Sequence, residues 1–255
     1  MAAFPLMLPG TSRPPKLVVF DLDHTLIACD ATILWTEFLY EKKIVTDPIW
    51  RQYDRDMVKS YAKGVLDIRD FCRKHAGAFR SIPEEKLHAL AQELAKKKIA
   101  PLIFPDGKKW VKNALQANIP ACVLSASAAF IVKPIAKLFG LTDAMGIELA
   151  FKDGFCTGEI VGIPTFQEGK VERLSQRLTE AGIGFEDVLF FTDSRNDLPL
   201  AERAGYTVCV NPDAVLESAA RKNGWKVAEW KLSLRTQMTA QVDAKGVPET
   251  QTVRS

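Results

Sequence analysis

The 255-residue sequence has few of the features that mark membrane, disulfide-rich or nucleic-acid-binding proteins. No apolar run approaches the ~18 residues of a membrane span, and the five cysteines are scattered without a CxxC pair. An odd, dispersed set of cysteines favours a reducing compartment over a disulfide framework. A net charge of only +3 does not suggest binding to nucleic acid or to an anionic membrane surface. These absences predict a cytoplasmic protein that binds neither.

The two ends of the chain differ in composition from its middle. The first fifteen residues hold four prolines and no positive charge before Arg13, so a secretory signal is not expected. Residues 242–255 resemble a polar tail. The hydrophobic fraction of 47% and the charged fraction of 25% are those of a globular protein. This length predicts one large domain, or a core with an insertion.

Four short apolar runs predict buried strands, at residues 17–20, 121–124, 188–191 and 207–210. Such uninterrupted runs are typical of strands that are buried on both faces of a parallel sheet. Helical patterns precede the last three runs, at residues 108–117, 170–181 and 198–204. This alternation predicts a parallel α/β sheet whose strands all point the same way.

Two segments interrupt the alternation. Residues 31–104 have a helical pattern, which predicts a helical insertion that includes a helix over residues 83–98. Residues 145–162 contain alternating runs around Asp153-Gly154, a strong hairpin signal. We therefore expect a core of residues 1–30 and 103–230 that carries this hairpin, a helical cap of residues 31–102, and a C-terminal extension of residues 231–255.

Polar side chains follow three of the predicted strands. They are Asp21 and Asp23 after the first, Ser125 and Ser127 after the second, and Asp193, Asn196 and Asp197 after the third. The carboxyl ends of parallel strands meet at one edge of the sheet, where open α/β sheets bind ligands. The sequence therefore predicts a functional site at this edge.

Asp21 and Asp23 would share one face of a regular strand, because they are two residues apart. At ~4 Å and an effective dielectric constant of about 20, two carboxylates repel by about 4 kcal/mol. The pair therefore needs a cation or one shared proton. Mg²⁺ suits it, because this ion prefers oxygen ligands and keeps several waters.

These residues lie in four segments that occur in the order VVFDLDHTL, VLSAS, EGK and LFFTDSRNDLPL. In this order the segments resemble the four motifs of the haloacid dehalogenase superfamily of phosphohydrolases. The insertion after the first motif and the hairpin before Gly169-Lys170 are similar to the subclass that includes phosphoserine phosphatase. The resemblance covers residues 17–200 and implies a Rossmann-like core of three α/β/α layers with an inserted helical cap.

The resemblance also implies a reaction, the Mg²⁺-dependent hydrolysis of a phosphomonoester through an aspartyl-phosphate. Asp21 would be the nucleophile, and the side chain of Asp23 would be the general acid and base. The metal would be held by Asp21, the backbone carbonyl of Asp23 and Asp193. Asp197 would lie behind the metal and hold waters or Lys170. The implied phosphate contacts, of which Lys170 would also balance charge in catalysis, are Ser125, the backbone N–H of Ala126, Lys170 and Asn196.

Two departures from the phosphoserine phosphatase pattern leave the substrate open. The fourth motif has Thr192-Asp193-Ser194 where that subclass usually has Gly-Asp-Gly, and Ala126 stands where the second motif usually has Gly. A fourth motif of this kind resembles a sister branch that includes histidinol-phosphatase-like enzymes. The resemblance implies a small, amine-bearing ester such as histidinol phosphate or phosphoserine. Asp30, nine residues after Asp21, is the candidate for binding the amine.

Several further polar residues have less specific expectations. A substrate carboxylate would need a cation, and the candidates in the insertion are Arg51, Arg55, Arg69 and Arg73. His24 is a candidate substrate contact, and Thr25 a candidate hydrogen-bond donor to the loop or the phosphate region. Ser127 is expected to cap a helix or to pack locally. His75 and His88 are expected to be solvated.

Two other functions stay open on the sequence alone. A phosphotransferase would pass the phosphoryl group to an alcohol, and product analysis with alcohol acceptors distinguishes it from a hydrolase. A phosphate-binding scaffold would have lost catalysis, which the presence of all the motif carboxylates and of Lys170 disfavours. Mn²⁺ or Co²⁺ could replace Mg²⁺ at a site of this kind.

Overall fold

A six-stranded parallel sheet forms the centre of the molecule in a computed structural model that describes residues 13–233. Within these residues the chain forms the strands β1 (Leu17–Phe20), β2 (Ala121–Ala128), β3 (Ala144–Ile147), β4 (Leu149–Lys152), β5 (Phe155–Ile160), β6 (Val188–Thr192), β7 (Tyr206–Val210) and β8 (Lys226–Ala228). The strand order in the sheet is β3-β2-β1-β6-β7-β8, and all neighbours are parallel. Most of the proline-rich first fifteen residues and most of the predicted C-terminal extension lie outside the described residues.

Helices cover this sheet and fill the insertion after β1. They are α1 (Ala31–Glu41), α2 (Ile49–Ala62), α3 (Ile68–His75), α4 (Glu84–Leu94), α5 (Pro105–Gln116), α6 (Ala129–Lys137), α7 (Glu168–Ala181), α8 (Leu198–Ala201) and α9 (Ala214–Asn223). The first four lie between β1 and β2, and α4 continues as a π-helical turn over Ala95–Ile99. The predicted fold class, a Rossmann-like α/β core with an inserted helical cap, is confirmed. The domain boundaries remain a prediction.

The central strands are apolar throughout because both faces of the sheet are buried. Alternate residues of a strand point to opposite faces. Val18 and Phe20 belong to one apolar cluster, and Leu17 and Val19 belong to a second. Phe20 stacks on Phe191 of the neighbouring strand with ring centroids 4.7 Å apart. Burial of each such side chain contributes roughly 1.5–3 kcal/mol.

Two strands were absent from the sequence-based prediction. Ala144–Ile147 pairs with β2 in the main sheet, so the antiparallel hairpin of β4 and β5 begins at Leu149 rather than at residue 145. Its turn is the predicted one, with φ of +51° at Asp153 and +79° at Gly154, as favoured hairpin turns require. Lys226–Ala228 forms a short strand at the sheet edge, where exposed residues give little hydrophobic signal.

No described helix has the length and the apolar composition needed to cross a membrane. The five cysteines are free thiols. Four of them are buried and Cys29 is half-buried, which agrees with the expectation of small buried side chains.

The cap contains a buried polar cluster in which the prediction for His75 was wrong. His75 is 5% exposed, whereas His88 is exposed as expected. The imidazole is buried because it stacks on Phe71 at 5.1 Å and meets the edge of Phe79 at 5.6 Å. Its Nε2 atom lies 3.4 Å from Asp54 Oδ1. Burial raises the pKa of Asp54 to about 7 and lowers the pKa of His75 to about 4.

Replacing Asp54 by Asn should stabilise the protein in a pH-dependent way. The folded-state pKa of Asp54 is raised above its ordinary value of 3.8, so the folded chain binds more protons than the unfolded chain between these two values. Stability from this group is therefore lost as pH rises from about 4 to about 7. Urea unfolding of Asp54→Asn should show a gain of roughly 2 kcal/mol at pH 8 and little gain at pH 4. A gain independent of pH would contradict the burial of an ionisable carboxyl.

Candidate active site

The carboxyl ends of β2, β1 and β6 lie side by side and carry the predicted site residues. Asp21 directly follows β1, and its backbone N–H donates to the carbonyl of Phe191 at 2.9 Å. Asp193 directly follows β6, and Ser125 lies within β2. The parallel pairing of these strands therefore brings Asp193 close to the first motif, although the two are 168–172 positions apart in the sequence.

Lys170 is buried between two carboxylates. Its Nζ atom lies 2.7 Å from Asp21 Oδ1 and 2.8 Å from Asp197 Oδ2. The hydroxyl of Thr192 also donates to Asp197 Oδ2, at 2.7 Å. Burial disfavours the charged ammonium, but the charges of Asp197 and Asp21 hold the pKa of Lys170 above its ordinary value. Lys170 therefore stays protonated and fixes both carboxylates.

Asp23 is held by the start of α1 and by two serines. Its Oδ1 accepts the N–H of Ala31 at 2.7 Å. Its Oδ2 accepts the hydroxyls of Ser127 at 2.8 Å and Ser125 at 3.2 Å. Burial, followed by the charge of Asp30, raises the pKa of Asp23 to about 6. The side chain is thus oriented, and its acidity suits proton transfer near neutral pH.

Two further carboxyl groups have pKa values that are raised by their surroundings. Burial raises the pKa of Asp21 to about 7, although Lys170 opposes the shift. Burial also raises the pKa of Asp193 well above its ordinary value, and the charges of Asp21 and Asp197 add to this. The hydroxyl of Thr25 donates to Asp193 Oδ1 at 3.1 Å. Perturbed carboxyl groups of this kind cluster at functional sites.

The donor set of the site fits a hard divalent cation. Asp21, Asp23, Asp193 and Asp197 supply four carboxyl groups, which the ammonium of Lys170 only partly offsets. Oxygen ligands with excess negative charge are what Mg²⁺ prefers. Within residues 13–233, no three His, Cys, Asp or Glu side chains form a metal-binding group. The predicted ligand set instead combines two carboxylates with one backbone carbonyl.

Of the predicted phosphate contacts, one lines the cavity and two are buried beneath its surface. Ala126 lines the cavity above the carboxylates. Ser125 is fully buried and donates to Asp23, while its hydroxyl accepts the N–H of Ser127 at 3.0 Å. Asn196 is also buried, and its amide donates to the carbonyl of Tyr61 in the cap at 2.9 Å. Ser125 and Asn196 thus lie behind the cavity wall, in hydrogen-bond networks that hold it.

Two residues that sequence reasoning missed connect the core with the cap. Gln167 donates to the carbonyl of Gly64 at 3.2 Å and to Asn196 Oδ1 at 3.1 Å. Its φ of +48° is unfavourable for a side chain other than glycine. Tyr61 lines the cavity, and burial raises the pKa of its hydroxyl well above the ordinary value. Neither residue belongs to a motif, and no sequence signal marks them.

A cavity of about 520 Å³ lies between the sheet edge and the cap. Its floor is polar and includes Asp21, Asp23 and Asp193. Its roof is built by α1, α2, α3 and the segment between α2 and α3, which contribute mostly apolar side chains such as Ile33, Leu34, Met57, Val58, Leu66 and Phe71. His24, the candidate substrate contact, also lines this space. The cavity therefore accommodates a ligand with one charged end and one apolar end.

Asp30 has a structural role in addition to its place on the cavity wall. Its carboxylate caps α1 by accepting the N–H groups of Thr32 at 2.9 Å and Ile33 at 3.0 Å. Asp30 also lines the cavity, and burial raises its pKa.

The four arginine candidates lie elsewhere. Arg51 pairs with Glu37, Arg55 with Gln52 and Arg73 with Glu159, while Arg69 donates to the carbonyl of Gly162. Among the described residues that line the cavity there is neither Arg nor Lys.

Comparison with known proteins identifies the class. The chain belongs to the haloacid dehalogenase-like hydrolase family, whose model matches residues 18–202. Curated relatives at up to 35% identity are named as phosphatases, and this chain is a phosphatase as well.

The relatives differ in substrate. The chain is 35% identical over 220 residues to a histidinol-phosphatase of Neisseria meningitidis, which covers 85% of this chain and 99% of the relative. It is 27% identical over 239 residues to a phosphoserine phosphatase of Mycobacterium tuberculosis, which covers 90% and 77%.

Two solved structures share the fold. A Bordetella pertussis protein of unknown function has a TM-score of 0.75 at 31% identity, over 83% of this chain and 96% of that one. A phosphoserine phosphatase, solved as an analogue of its phospho-aspartyl intermediate, has a TM-score of 0.64 at 21% identity, over 89% and 99%. The second likeness concerns the fold alone.

Removing the ammonium of Lys170 should destabilise the protein strongly. Lys170→Met leaves the Asp21 and Asp197 carboxylates buried without their counter-charge, so we expect a loss of about 3–5 kcal/mol in the free energy of unfolding. Urea denaturation measures this loss. In Lys170→Met/Asp197→Asn, part of the loss should be recovered, because one of the two buried charges is gone.

Arg177→Met is the matched control. Arg177 pairs with Asp143 at 3.0 Å, and both side chains are about one-third exposed. Such a pair contributes at most about 1 kcal/mol. A loss for Lys170→Met no larger than that for Arg177→Met would contradict the assigned role of the buried ion cluster.

Proposed function

We propose that this phosphatase is a Mg²⁺-dependent phosphomonoester hydrolase that acts through an aspartyl-phosphate on a small, amine-bearing metabolite. The observation that carries the proposal is the position of Asp21 on the cavity floor, with Oδ1 bound by the buried ammonium of Lys170. This bond orients the carboxylate, so that Oδ2 is the attacking atom. The bond from Oδ2 to phosphorus forms as the bond to the leaving alkoxide breaks.

Asp23 is the proposed general acid and base. Its contacts with Ser127 and Ala31 hold the carboxyl at the cavity wall. With a pKa raised to about 6, it is well suited to give a proton to the leaving alkoxide. It then takes a proton from the water that cleaves the aspartyl-phosphate, which returns Asp21 to its starting state.

The proposed metal ligands are the carboxylates of Asp21 and Asp193 and the backbone carbonyl of Asp23. A bound Mg²⁺ would neutralise the negative charge of the phosphoryl group. Thr25 orients Asp193 through its hydrogen bond. Asp197 holds Lys170, and through it Asp21.

The proposed phosphate contacts are the four residues implied by the motifs, Ser125, Ala126, Lys170 and Asn196. Ala126 lines the cavity, and its backbone N–H is the proposed direct donor to the phosphoryl group. Lys170, bound to Asp21, balances charge. Ser125 and Asn196 remain proposed phosphate contacts. In the structure, Ser125 donates to Asp23 and Asn196 donates to the carbonyl of Tyr61 in the cap.

Histidinol phosphate is the favoured substrate over phosphoserine. A carboxylate on the substrate would lack a guanidinium or ammonium partner, because the described residues of the wall include no Arg or Lys. Leaving a buried charge unpaired is costly. The amine of histidinol phosphate would pair with the carboxylate of Asp30, and its flat imidazole would pack against the apolar roof. The 35% identity with a histidinol-phosphatase supports the same choice.

Phosphate release from a panel of esters tests the proposal. The panel comprises histidinol phosphate, phosphoserine, sugar phosphates, nucleotides and a lipid phosphate. We expect turnover of histidinol phosphate that disappears on chelation and returns with Mg²⁺, with kcat/KM at least about tenfold above that for phosphoserine. Turnover should be lost in Asp21→Asn.

Asp187→Asn is the matched control for the nucleophile. Asp187 is also a buried carboxyl, but it precedes β6 at the opposite end of the sheet, so activity should persist. Added alcohol acceptors should give inorganic phosphate and no phosphorylated alcohol. A transferred phosphoryl group would establish the phosphotransferase instead, and a folded, metal-binding protein without any turnover would be a scaffold.

Asp30→Asn tests the binding of the amine. Asn caps a helix as well as Asp, so α1 should be retained while the charge is lost. We expect KM for histidinol phosphate to rise about tenfold, since hydrogen bonds to charged groups contribute about 1.5–3 kcal/mol. KM for the des-amino analogue should stay unchanged.

Asp67→Asn is the control for capping. Asp67 caps α3 through the same two hydrogen bonds, to Arg69 and Asp70, and its side chain is exposed. Neither ester should be affected by this variant. Equal increases in KM for both esters in Asp30→Asn would contradict the proposal that Asp30 binds the amine.

A further inference from the structure

The buried polar cluster of the cap has no part in the proposed reaction. It consists of Thr36, Asp54 and His75, which are 0%, 4% and 5% exposed. The His75 Nε2 atom lies 2.9 Å from Thr36 Oγ1 and 3.4 Å from Asp54 Oδ1. Neither oxygen of the Asp54 carboxyl has a hydrogen-bond partner within residues 13–233. Such burial costs stability, so the cluster requires an explanation beyond packing.

Each residue of the cluster lies one helical turn from the cavity roof. The pairs are Thr36 with Ile33 in α1, Asp54 with Met57 in α2, and His75 with Phe71 in α3. Residues three or four positions apart share one face of a helix. The cluster therefore joins the three helices of the roof one helical turn away from the side chains that line the cavity.

The closest of these connections is between His75 and Phe71. Their rings stack with centroids 5.1 Å apart and an interplanar angle of 18°. The edge of Phe79 meets the imidazole at 5.6 Å, and Thr36 holds its nitrogen. A void of about 20 Å³ beside these rings is lined by Phe71, His75 and Phe79. Without a flat side chain at position 75, the Phe71 ring loses the stacking contact that sets its orientation.

We propose that His75 is a positioning residue that fixes the Phe71 ring as the flat wall against which the organic part of the ester binds. The hydrogen bond between Thr36 Oγ1 and His75 Nε2 holds the imidazole in place. The inference rests on the proposed function, because it concerns the ligand selectivity of the same cavity. The chemical class it selects is a phosphate ester that carries a flat ring, over esters with a short organic group.

Binding of two phosphonates tests this role without requiring turnover. Phenylphosphonate carries a ring that reaches the wall, and methylphosphonate does not. In His75→Leu, which fills similar volume without a flat ring, calorimetry should show about fivefold weaker binding of phenylphosphonate, in the range expected for lost aromatic pairs. Methylphosphonate binding should be unchanged. His75→Phe restores a flat ring but not the hydrogen bond to Thr36, so it should recover most of the phenylphosphonate affinity and leave methylphosphonate binding unchanged.

His88→Leu is the matched control, because His88 also stacks on a phenylalanine, Phe151, at 6.2 Å, but lies outside the cavity wall. This variant should change neither affinity. In a Phe71→Leu background, His75→Leu should have little further effect on phenylphosphonate, because the two residues act as one unit.

Kinetics with p-nitrophenyl phosphate separate positioning from general damage. In His75→Leu we expect KM to rise by the same factor as the phenylphosphonate dissociation constant, with kcat retained. Equal weakening of both phosphonates, an unchanged affinity for phenylphosphonate, or an undiminished effect in the Phe71→Leu background would overturn the proposal. If no ester is hydrolysed by the unsubstituted protein, the proposed function fails, while the phosphonate affinities still decide the role of His75.

Discussion

The ammonium of Lys170, enclosed by the carboxylates of Asp21 and Asp197, is the interaction on which the site depends. Several acidic groups converge at one edge of the sheet because the strands that carry them are parallel. Such a convergence would repel itself in a buried space. One protonated lysine at the start of α7 offsets part of this charge and leaves an excess that favours a divalent cation. The same balance of charge between Lys170 and the carboxylates therefore stabilises the fold and prepares the site for a cation.

The cap complements this charged floor with an apolar roof. Helices α1 to α3 pack over the strand ends and close a cavity in which the charge lies at one end. Recognition is divided accordingly. In the proposed reaction, the core would bind the phosphoryl group that all phosphate esters share, and the cap would bind the organic group that differs between them. A family can therefore keep one reaction while its members change substrates through the insertion.

The core and the charged residues were predictable from sequence, because continuous apolar runs and the polar residues that follow them are local patterns. The roof was not. Met57 and Phe71 resemble ordinary core positions of amphipathic helices, and only tertiary packing turns them toward a ligand. The burial of His75 was missed for the same reason. Phe71 and Phe79 pack against its ring in the folded cap, and the helical period alone does not distinguish a face covered in this way from an exposed one. β3 and β8 were missed because short edge strands carry little hydrophobic contrast.

The amides of Asn196 and Gln167 end on backbone carbonyls of the cap, those of Tyr61 and Gly64. Asn196 follows Asp193 in the turn after β6, and Gln167 directly precedes α7, the helix that carries Lys170. At this side of the cavity the cap can move away from the core only when these amides exchange the carbonyls for water. Where the passage of a ligand needs such a movement, the frequency of that exchange limits turnover together with the chemical step.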